Sequence, residues 1–327
     1  MTATLSRTDS VATRSDPAKS DRQHPVPQQW DVVLLTQREY LAPNLDEPYI
    51  CQLQLEEALL LKPLRERGLK VTRMSWDDSQ QDWSRCRALV FRSTWDYFFR
   101  YREFAPWLSA VSEQTRLFNN AALLRWNIDK HYLADLQAAG VPIVETVFIE
   151  KGSVAPLATV LRKQGWSEVV FKPVVSGSAR LTYRVGLTNA VAMQSTFADC
   201  VAKESMMVQP FLRNVLEQGE FSFIVIDGVC SHAVRKVPKA GDFRVQDDHG
   251  GTVLAHVATA EEMQFAERAV AACPSMPLYA RVDAVRDDSG ALRLMELELI
   301  EPELFLRFHT PAAQRLAAAI ARELALR

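Results

Sequence analysis

The chain opens its ordered pattern with an unbroken β-branched run at 30–36 (WDVVLLT), which reads as a buried parallel strand. Over 50–71 (ICQLQLEEALLLKPLRERGLKV) apolar residues recur at helical spacing, and the run stops at Gly68, a natural C-terminal cap. Strand-like pieces follow at 70–76 (KVTRMSW) and 88–97 (ALVFRSTWDY). Strand, helix, strand, strand predicts a small open α/β domain. The second piece ends in Arg92, Ser93, Thr94, Trp95, Asp96 and Tyr97, where α/β sheets place ligand-binding groups.

After residue 126 the rhythm changes. A helix capped by Asn127 or Asp129 is expected to run to about Gly140, followed by a strand from Ile143. Residues 166–186 read as strand, Gly/Ser loop, strand; 189–204 as a helix; 206–212 as a short strand. An Asp227-Gly228 turn predicts a hairpin over 219–238, and Thr-x-x-Glu caps a helical stretch at 259–274.

The last hairpin, 279–286 and 291–300, carries the chemistry. A turn over 287–290 places Arg281 opposite Glu296 and Asp283 opposite Leu294. Alternation then puts Arg281, Asp283, Glu296 and Glu298 on one face, and Val282, Ala284, Met295, Leu297 and Leu299 on the other. Alternate residues of a strand lie about 7 Å apart, so the three carboxylates could cup one or two cations, which sit roughly 3.5–4 Å apart in two-metal sites. Oxygen ligands without His or Cys favour Mg²⁺ or Mn²⁺. A solvated sheet face is the competing reading. Against it stand the repulsion between adjacent carboxylates and the strongly apolar opposite face.

Composition narrows the field. The chain has 327 residues, 48% apolar and 24% charged, with a net charge of −2 and no basic block, so nucleic acid and anionic membranes are not expected partners. Five cysteines lack metal-finger or C-x-x-C spacing, which suits reduced thiols and a cytoplasmic protein. Residues 1–29 are polar and Pro-containing, with no secretory apolar core, and are expected to form a disordered tail.

The Asp283, Glu296, Glu298 spacing, with Arg281 two residues before the aspartate, resembles the metal-binding end of the ATP-grasp ligases. The words RSTWDY, LRWNIDKHYLADL, RKVPKAGDFRVQ and LELIEPELFL are similar to the branch of glutathione synthetase and the ribosomal-protein glutamate ligases, which includes an O-ureido-serine cyclo-ligase of cycloserine biosynthesis. The resemblance implies an N-terminal α/β domain (30–125), a central lobe (126–208) and a C-terminal lobe with the metal site (209–327), the lobes built on antiparallel sheets with ATP between them.

It also implies roles. Lys130 and Lys172 would meet the nucleotide, and Ser176, Gly177 and Ser178 would fold over its phosphates. Gln209 and Phe211 would lie at the adenine edge. Glu220, or its neighbour Glu217, would position the ribose. Arg235 and Lys236 would face phosphates, Arg244 an anionic substrate or acyl phosphate, and Arg281 the tetrahedral oxyanion. Arg92, Ser93, Trp95 and Asp96 would receive an amino-acid-like substrate, Arg92 and Ser93 its carboxylate and Asp96 its amine. Glu298 departs from the pattern, since most relatives carry Asn there.

The activity implied is carboxylate activation by ATP with two Mg²⁺ or Mn²⁺ ions, then attack by an amine, within one molecule or between two. A homo-oligomer is compatible with this. An ATP-binding protein without ligase chemistry and a phosphotransferase on the same fold are the alternatives.

Overall fold

The computed structural model describes residues 29–44, 46–245 and 250–326; apart from Gln29, the expected tail lies outside them. Three sheets follow one another along the chain.

The first is built from β1 (Trp30–Thr36), α1 (Pro48–Glu66), β2 (Val71–Ser75), β3 (Cys86–Ser93), α2 (Tyr101–Ser112) and β4 (Arg116–Phe118). Its strand order is β2-β1-β3-β4, with all pairs parallel. Both faces are covered, which explains the unbroken apolar run of β1. Val33, Leu35, Leu89 and Phe91 pack under Trp76, Phe104 and Leu108. Val32, Leu34, Ala88 and Val90 pack under Leu60 and Leu64 of α1.

Next come two short helices, α3 (Ala121–Ile128) and α4 (Tyr132–Ala138), where one helix was expected. The expected helix is α4, but His131 stands at its N-cap position in place of Asn127 or Asp129; α3, capped by Asn120 accepting from the Leu123 amide at 3.0 Å, was not expected. Asn127 is drawn away by the edge of the third sheet: it donates to the Leu297 carbonyl at 2.8 Å and accepts from the Leu299 amide at 2.9 Å. Asp129 is extended, and the break sets Lys130 on the inter-helix link.

The second sheet comprises β5 (Val147–Ile149), α5 (Leu157–Gln164), β6 (Glu168–Pro173), β7 (Tyr183–Gly186), α6 (Gln194–Lys203) and β8 (Met206–Pro210), in the antiparallel order β5-β8-β6-β7. Leu157, Leu161, Val169, Phe171, Phe197 and Val208 give it a core of its own. β5 begins four residues later than expected, because the Val144 amide bonds to the Leu294 carbonyl and ties residues 142–144 to the third sheet.

That third sheet follows α7 (Asn214–Glu217) and contains β9 (Glu220–Ile226), β10 (Val229–Val237), β11 (Thr252–His256), α8 (Ala260–Ala271), β12 (Tyr279–Arg286) and β13 (Leu292–Glu298), with α9 (Pro311–Ala325) closing the described chain. The order is β11-β10-β9-β12-β13, antiparallel throughout. The Asp227-Gly228 turn forms as expected, with φ of 53° and 73° at its two positions, the left-handed pair such a hairpin requires. The Thr259–Glu262 capping box forms too.

One face of this sheet is apolar throughout: Phe223, Val225, Ala280, Val282 and Leu297 pack on Phe265 and Ala269 of α8 and on Leu133 and Leu136 of α4. The other face is divided. Ile224, Ile226, Val234 and Tyr279 dock against the first sheet and α9. Farther along the same strands stand Glu220, Ser222, Lys236, Arg281, Asp283, Glu296 and Glu298, and the second sheet faces them across a cleft.

The hairpin register differs from the expected one. Arg281 pairs with Glu298 and Asp283 with Glu296, whereas Ala284 pairs with Leu294, so Met295 is an additional residue in a bulge. Arg286 pairs with Leu292, and the connection spans 287–291 instead of 287–290. The Asp287 carboxylate accepts from the Ser289 amide at 2.9 Å and the Ala291 amide at 3.0 Å, which stabilises the longer loop. A bulge changes which side chains share a face. Leu294 joins the core, and Met295, expected on the apolar face, lines the cleft.

Candidate active site

The cleft has an apolar end and a charged end. Val144, Val170, Phe211, Leu212, Val215, Phe243, Val245 and Met295 form the apolar end. Sequence reading identified only Phe211 among them, because the others look like ordinary core residues. The Phe211 ring carries the Arg184 guanidinium at 3.8 Å. The Phe211 amide already bonds to the Glu168 carbonyl at 2.9 Å, and the Gln209 side chain donates to Thr146 Oγ1 at 3.0 Å.

At the charged end, Glu296 lies between two lysines. Its carboxylate is 3.0 Å from Lys130 Nζ and 3.8 Å from Lys172 Nζ. Lys130 reaches this point because its own amide bonds to the Val174 carbonyl, and its ammonium also donates to the Ser176 carbonyl at 2.6 Å. Burial would raise the Glu296 pKa, but Lys130 and Lys172 hold it below its ordinary value. Burial lowers that of Lys172, against the attraction of Glu296.

Asp283 is almost fully buried and accepts from Arg281 Nε at 3.0 Å and from Ser222 Oγ at 2.5 Å, with Lys236 Nζ at 3.5 Å. Burial works against its ionisation, yet Arg281 and Lys236 hold its pKa down at about 2. Arg281 also bonds to Glu298, and Lys236 to Glu220. Burial drives the Glu298 carboxyl up to about 7; Arg281 opposes this, while Asp283 and Glu296 add to it. Among the described residues no three acidic, histidine or cysteine side chains converge as a ready ligand set, since basic side chains hold the carboxylates instead.

The loop after β6 covers this end. Ser176, Gly177 and Ser178 all line the cleft. Ser178, Ala179 and Leu181 have φ of 45°, 52° and 49°, a left-handed cluster of the kind found at ligand clamps. A Cβ on Gly177 would lie 2.5 Å from the Phe98 ring, so glycine allows the loop to rest on Phe98. Arg244 lines the cleft and is paired with Asp242 at 2.7 Å.

Several expected residues lie elsewhere. Arg92, Ser93 and Asp96 do not line the cleft. Arg92 and Ser93 are buried against α1: Arg92 faces Glu56 at 3.7 Å, and Ser93 bonds to Glu57 and to Thr36 Oγ1. Asp96 holds the Trp76 indole at 2.8 Å and Arg100 at 2.8 Å. Of that group Trp95 alone reaches the cleft. Arg235 and Glu217 are also outside it; strand alternation points Lys236 inward and Arg235 away.

The wall beyond Glu298 was missed: Tyr49, Phe98, Glu301, Glu303 and Phe305 line it. Glu56 of α1 shapes this wall, accepting from the Leu304 amide at 3.0 Å and the Leu306 amide at 2.8 Å. Phe305, between them, takes a left-handed φ of 49°.

Comparison with known proteins agrees with this architecture. Residues 32–119 match the family described as the N-terminal domain of D-cycloserine synthetase DcsG, and residues 146–276 match the ATP-grasp domain of prokaryotic glutathione synthetase. Cycloserine biosynthesis protein DcsG of Streptomyces lavendulae is 35% identical over 285 residues, covering 81% of this chain and 92% of that protein. The crystal structure of D-cycloserine synthetase DcsG superposes with a TM-score of 0.77 at 30% identity, covering 90% of this chain and 99% of the other. ATP-grasp ligase PsnB, solved with a phosphomimetic variant of its minimal precursor, Mg and ADP, shares the fold at a TM-score of 0.60 and 17% identity, covering 90% of this chain and 99% of that one. The chain belongs to the ATP-grasp ligases, in the family that contains the cycloserine biosynthesis protein DcsG.

Proposed function

We propose that this protein uses ATP to phosphorylate a substrate carboxylate and passes the acyl group to a nitrogen, forming an amide and releasing ADP and phosphate. When acid and nitrogen belong to one molecule the product is a ring, and an O-ureido-serine-type acid is the substrate class the family favours. The observation that carries the reading is the placement of Lys130, Lys172 and Glu296 beside Arg281 and Asp283 in one cleft between two antiparallel sheets.

Each group has work suited to its position. The apolar end around Phe211 and Met295 takes the adenine. The Phe211 amide is already bonded, so the Leu212 amide, for which the described residues provide no partner, is the better base-edge donor. Lys130 and Lys172 turn from Glu296 towards phosphate oxygens, with the 176–178 loop closing over them. Against burial, Asp283 and Glu220 keep Lys236 charged, and the Glu220 carboxylate orients it.

Arg281 stabilises the oxyanion that forms when nitrogen attacks, and removing such a donor raises the barrier by about 2.7–4 kcal/mol. The oxygen-only chemistry of Asp283, Glu296 and Glu298 suits one or two Mg²⁺ or Mn²⁺ ions, which would take the place of the basic side chains that hold these carboxylates. Held by these carboxylates, such ions would supply positive charge to neutralise the transferring phosphoryl group. The 126–208 and 209–327 stretches then act as the two lobes around the nucleotide, with 30–125 completing the substrate end.

The test is to incubate the protein with ATP, Mg²⁺ and amino-acid-type acids, O-ureido-serine among them, and follow ADP release and product mass. Amide or ring formation coupled to ADP release supports the proposal, the ring closure itself removing one water from the acid. A stable phosphorylated acid would identify a phosphotransferase, and absence of ADP formation with every acid would reject ligase chemistry.

A further inference from the structure

Nearly every carboxylate lining the cleft has a basic partner. Asp283 has Arg281 and Lys236, Glu296 has Lys130 and Lys172, Glu298 has Arg281, Glu220 has Lys236 and Glu303 has Arg307. Glu301 differs. It lines the cleft, it is mostly buried, and among the described residues its carboxylate has no ion pair, its own backbone amide being its hydrogen-bond partner.

Its backbone, by contrast, is firmly held. The Glu301 carbonyl accepts the Trp95 indole N–H at 2.9 Å, and the segment just beyond is clamped by Glu56. The Trp95 ring is itself braced by Tyr40 at 5.8 Å and Tyr49 at 6.1 Å between ring centroids. Trp95 and Tyr49 both line the cleft beside Glu301. The result is an anchored backbone that carries a carboxylate on the same cleft wall as two aromatic rings, a combination of groups that attracts an organic cation.

A buried carboxylate without a basic partner is costly to keep ionised. Burial, reinforced by Glu298, accordingly holds the Glu301 carboxyl well above the ordinary carboxylate range. A ligand ammonium would reverse that penalty. The opposite charge is already provided nearby, since Arg281 and the lysines suit anions. A ligand satisfying both ends carries a carboxylate and an ammonium on one small skeleton.

We propose that Glu301 receives the ammonium group of the substrate, with Trp95 and Tyr49 as its walls, making this cleft selective for acids with a free amino group. The assignment rests on the ligase reading above and makes Glu301 a specificity-determining residue in place of Asp96.

The experiment compares wild type and Glu301→Gln on two probes: O-ureido-serine and 3-(ureidooxy)propanoate, the same acid without its amine. A charge-assisted hydrogen bond predicts a loss of about 10- to 100-fold in kcat/KM for the amino acid, carried mainly by KM. The des-amino acid should be a poor substrate for both proteins and equally poor in each. The KM for ATP and the Mg²⁺ concentration for half-activity should not move. Replacing a carboxyl that burial already keeps protonated by a neutral amide of the same shape should also leave the ligand-free protein about as thermally stable as wild type.

An equal loss on both probes, a raised Mg²⁺ requirement, or a lowered melting temperature would overturn the assignment in favour of a metal-ligating or structural role. Calorimetric titration of both probes in the presence of Mg²⁺ and ADP reads the contact without turnover. Equal affinities of O-ureido-serine for the two proteins would therefore overturn the Glu301 assignment even if ADP release had already rejected the ligase reading. Glu301→Ala, which removes the side chain, should give the same discrimination if the carboxylate is responsible.

Discussion

Neutralising Glu296 tests how the cleft is held together before nucleotide arrives. Its carboxylate sits 3.0 Å from Lys130 Nζ and 3.8 Å from Lys172 Nζ. At an effective dielectric constant of about 20, those separations correspond to attractions of roughly 5.5 and 4.4 kcal/mol before desolvation is subtracted. Breaking a buried pair by removing one partner typically destabilises by about 3–5 kcal/mol, because the remaining charge is left uncompensated. Glu296→Gln leaves two such charges facing each other. The variant should therefore lose about 3–5 kcal/mol in urea unfolding without ligand, and its ATP turnover should fall at least about 100-fold. Nucleotide phosphates replace the missing anion, so Mg²⁺ with a non-hydrolysable ATP analogue should narrow the stability gap. Adding Lys172→Met should recover part of the stability and none of the activity. A Glu296→Gln protein with wild-type stability and wild-type turnover would refute both the coupling and the site.

Two further outcomes follow from the packing. Glu56→Ala strands the buried Leu304 and Leu306 amides, each at about 1–3 kcal/mol, so urea unfolding should show a loss of about 2–6 kcal/mol and kcat/KM for the acid should drop; a loss below about 1 kcal/mol would mean those amides find other partners. His232 is held down to about 4 by burial and by neighbouring His309, against hydrogen bonds to the Phe305 and Leu304 carbonyls. Its neutral form is favoured on folding, so its contribution is complete above its ordinary pKa of 6.5 and fades as pH falls towards 4, by up to about 3 kcal/mol. His232→Gln should flatten the stability profile between those limits, and an unchanged slope would place the acid sensitivity elsewhere.

The repeating units were legible in the chain because their causes are local. Alternation in β9, β10, β12 and β13, the Asp227-Gly228 turn, and the Thr259–Glu262 cap each depend on residues a few positions apart. Arg281, Asp283 and Glu296 were legible for a related reason: charged residues on strands with an apolar reverse face must point at something that compensates them. Lys130 and Lys172 were legible only through the family resemblance of the words around them. The sequence by itself thus determined which strands have a polar side and which side chains stand on it.

Only the tertiary structure decided what meets that side. The polar end of β3 looks alike whether a ligand or another helix covers it. Here Glu56 and Glu57 arrive from α1, more than 30 residues upstream; Glu56 pairs with Arg92 and Glu57 accepts from Ser93, which keeps both away from the cleft. The bulge in β13 depends on where the hairpin loop closes, and one additional residue exchanges Leu294 for Met295 at the apolar end of the cleft. Glu301 follows a strand end and looks like an ordinary loop residue. It lines the cleft only because Trp95, from a loop 206 residues away, fixes its backbone there. Local rules set each element's polarity, while long-range partners decide which polar groups are consumed in folding and which remain for chemistry.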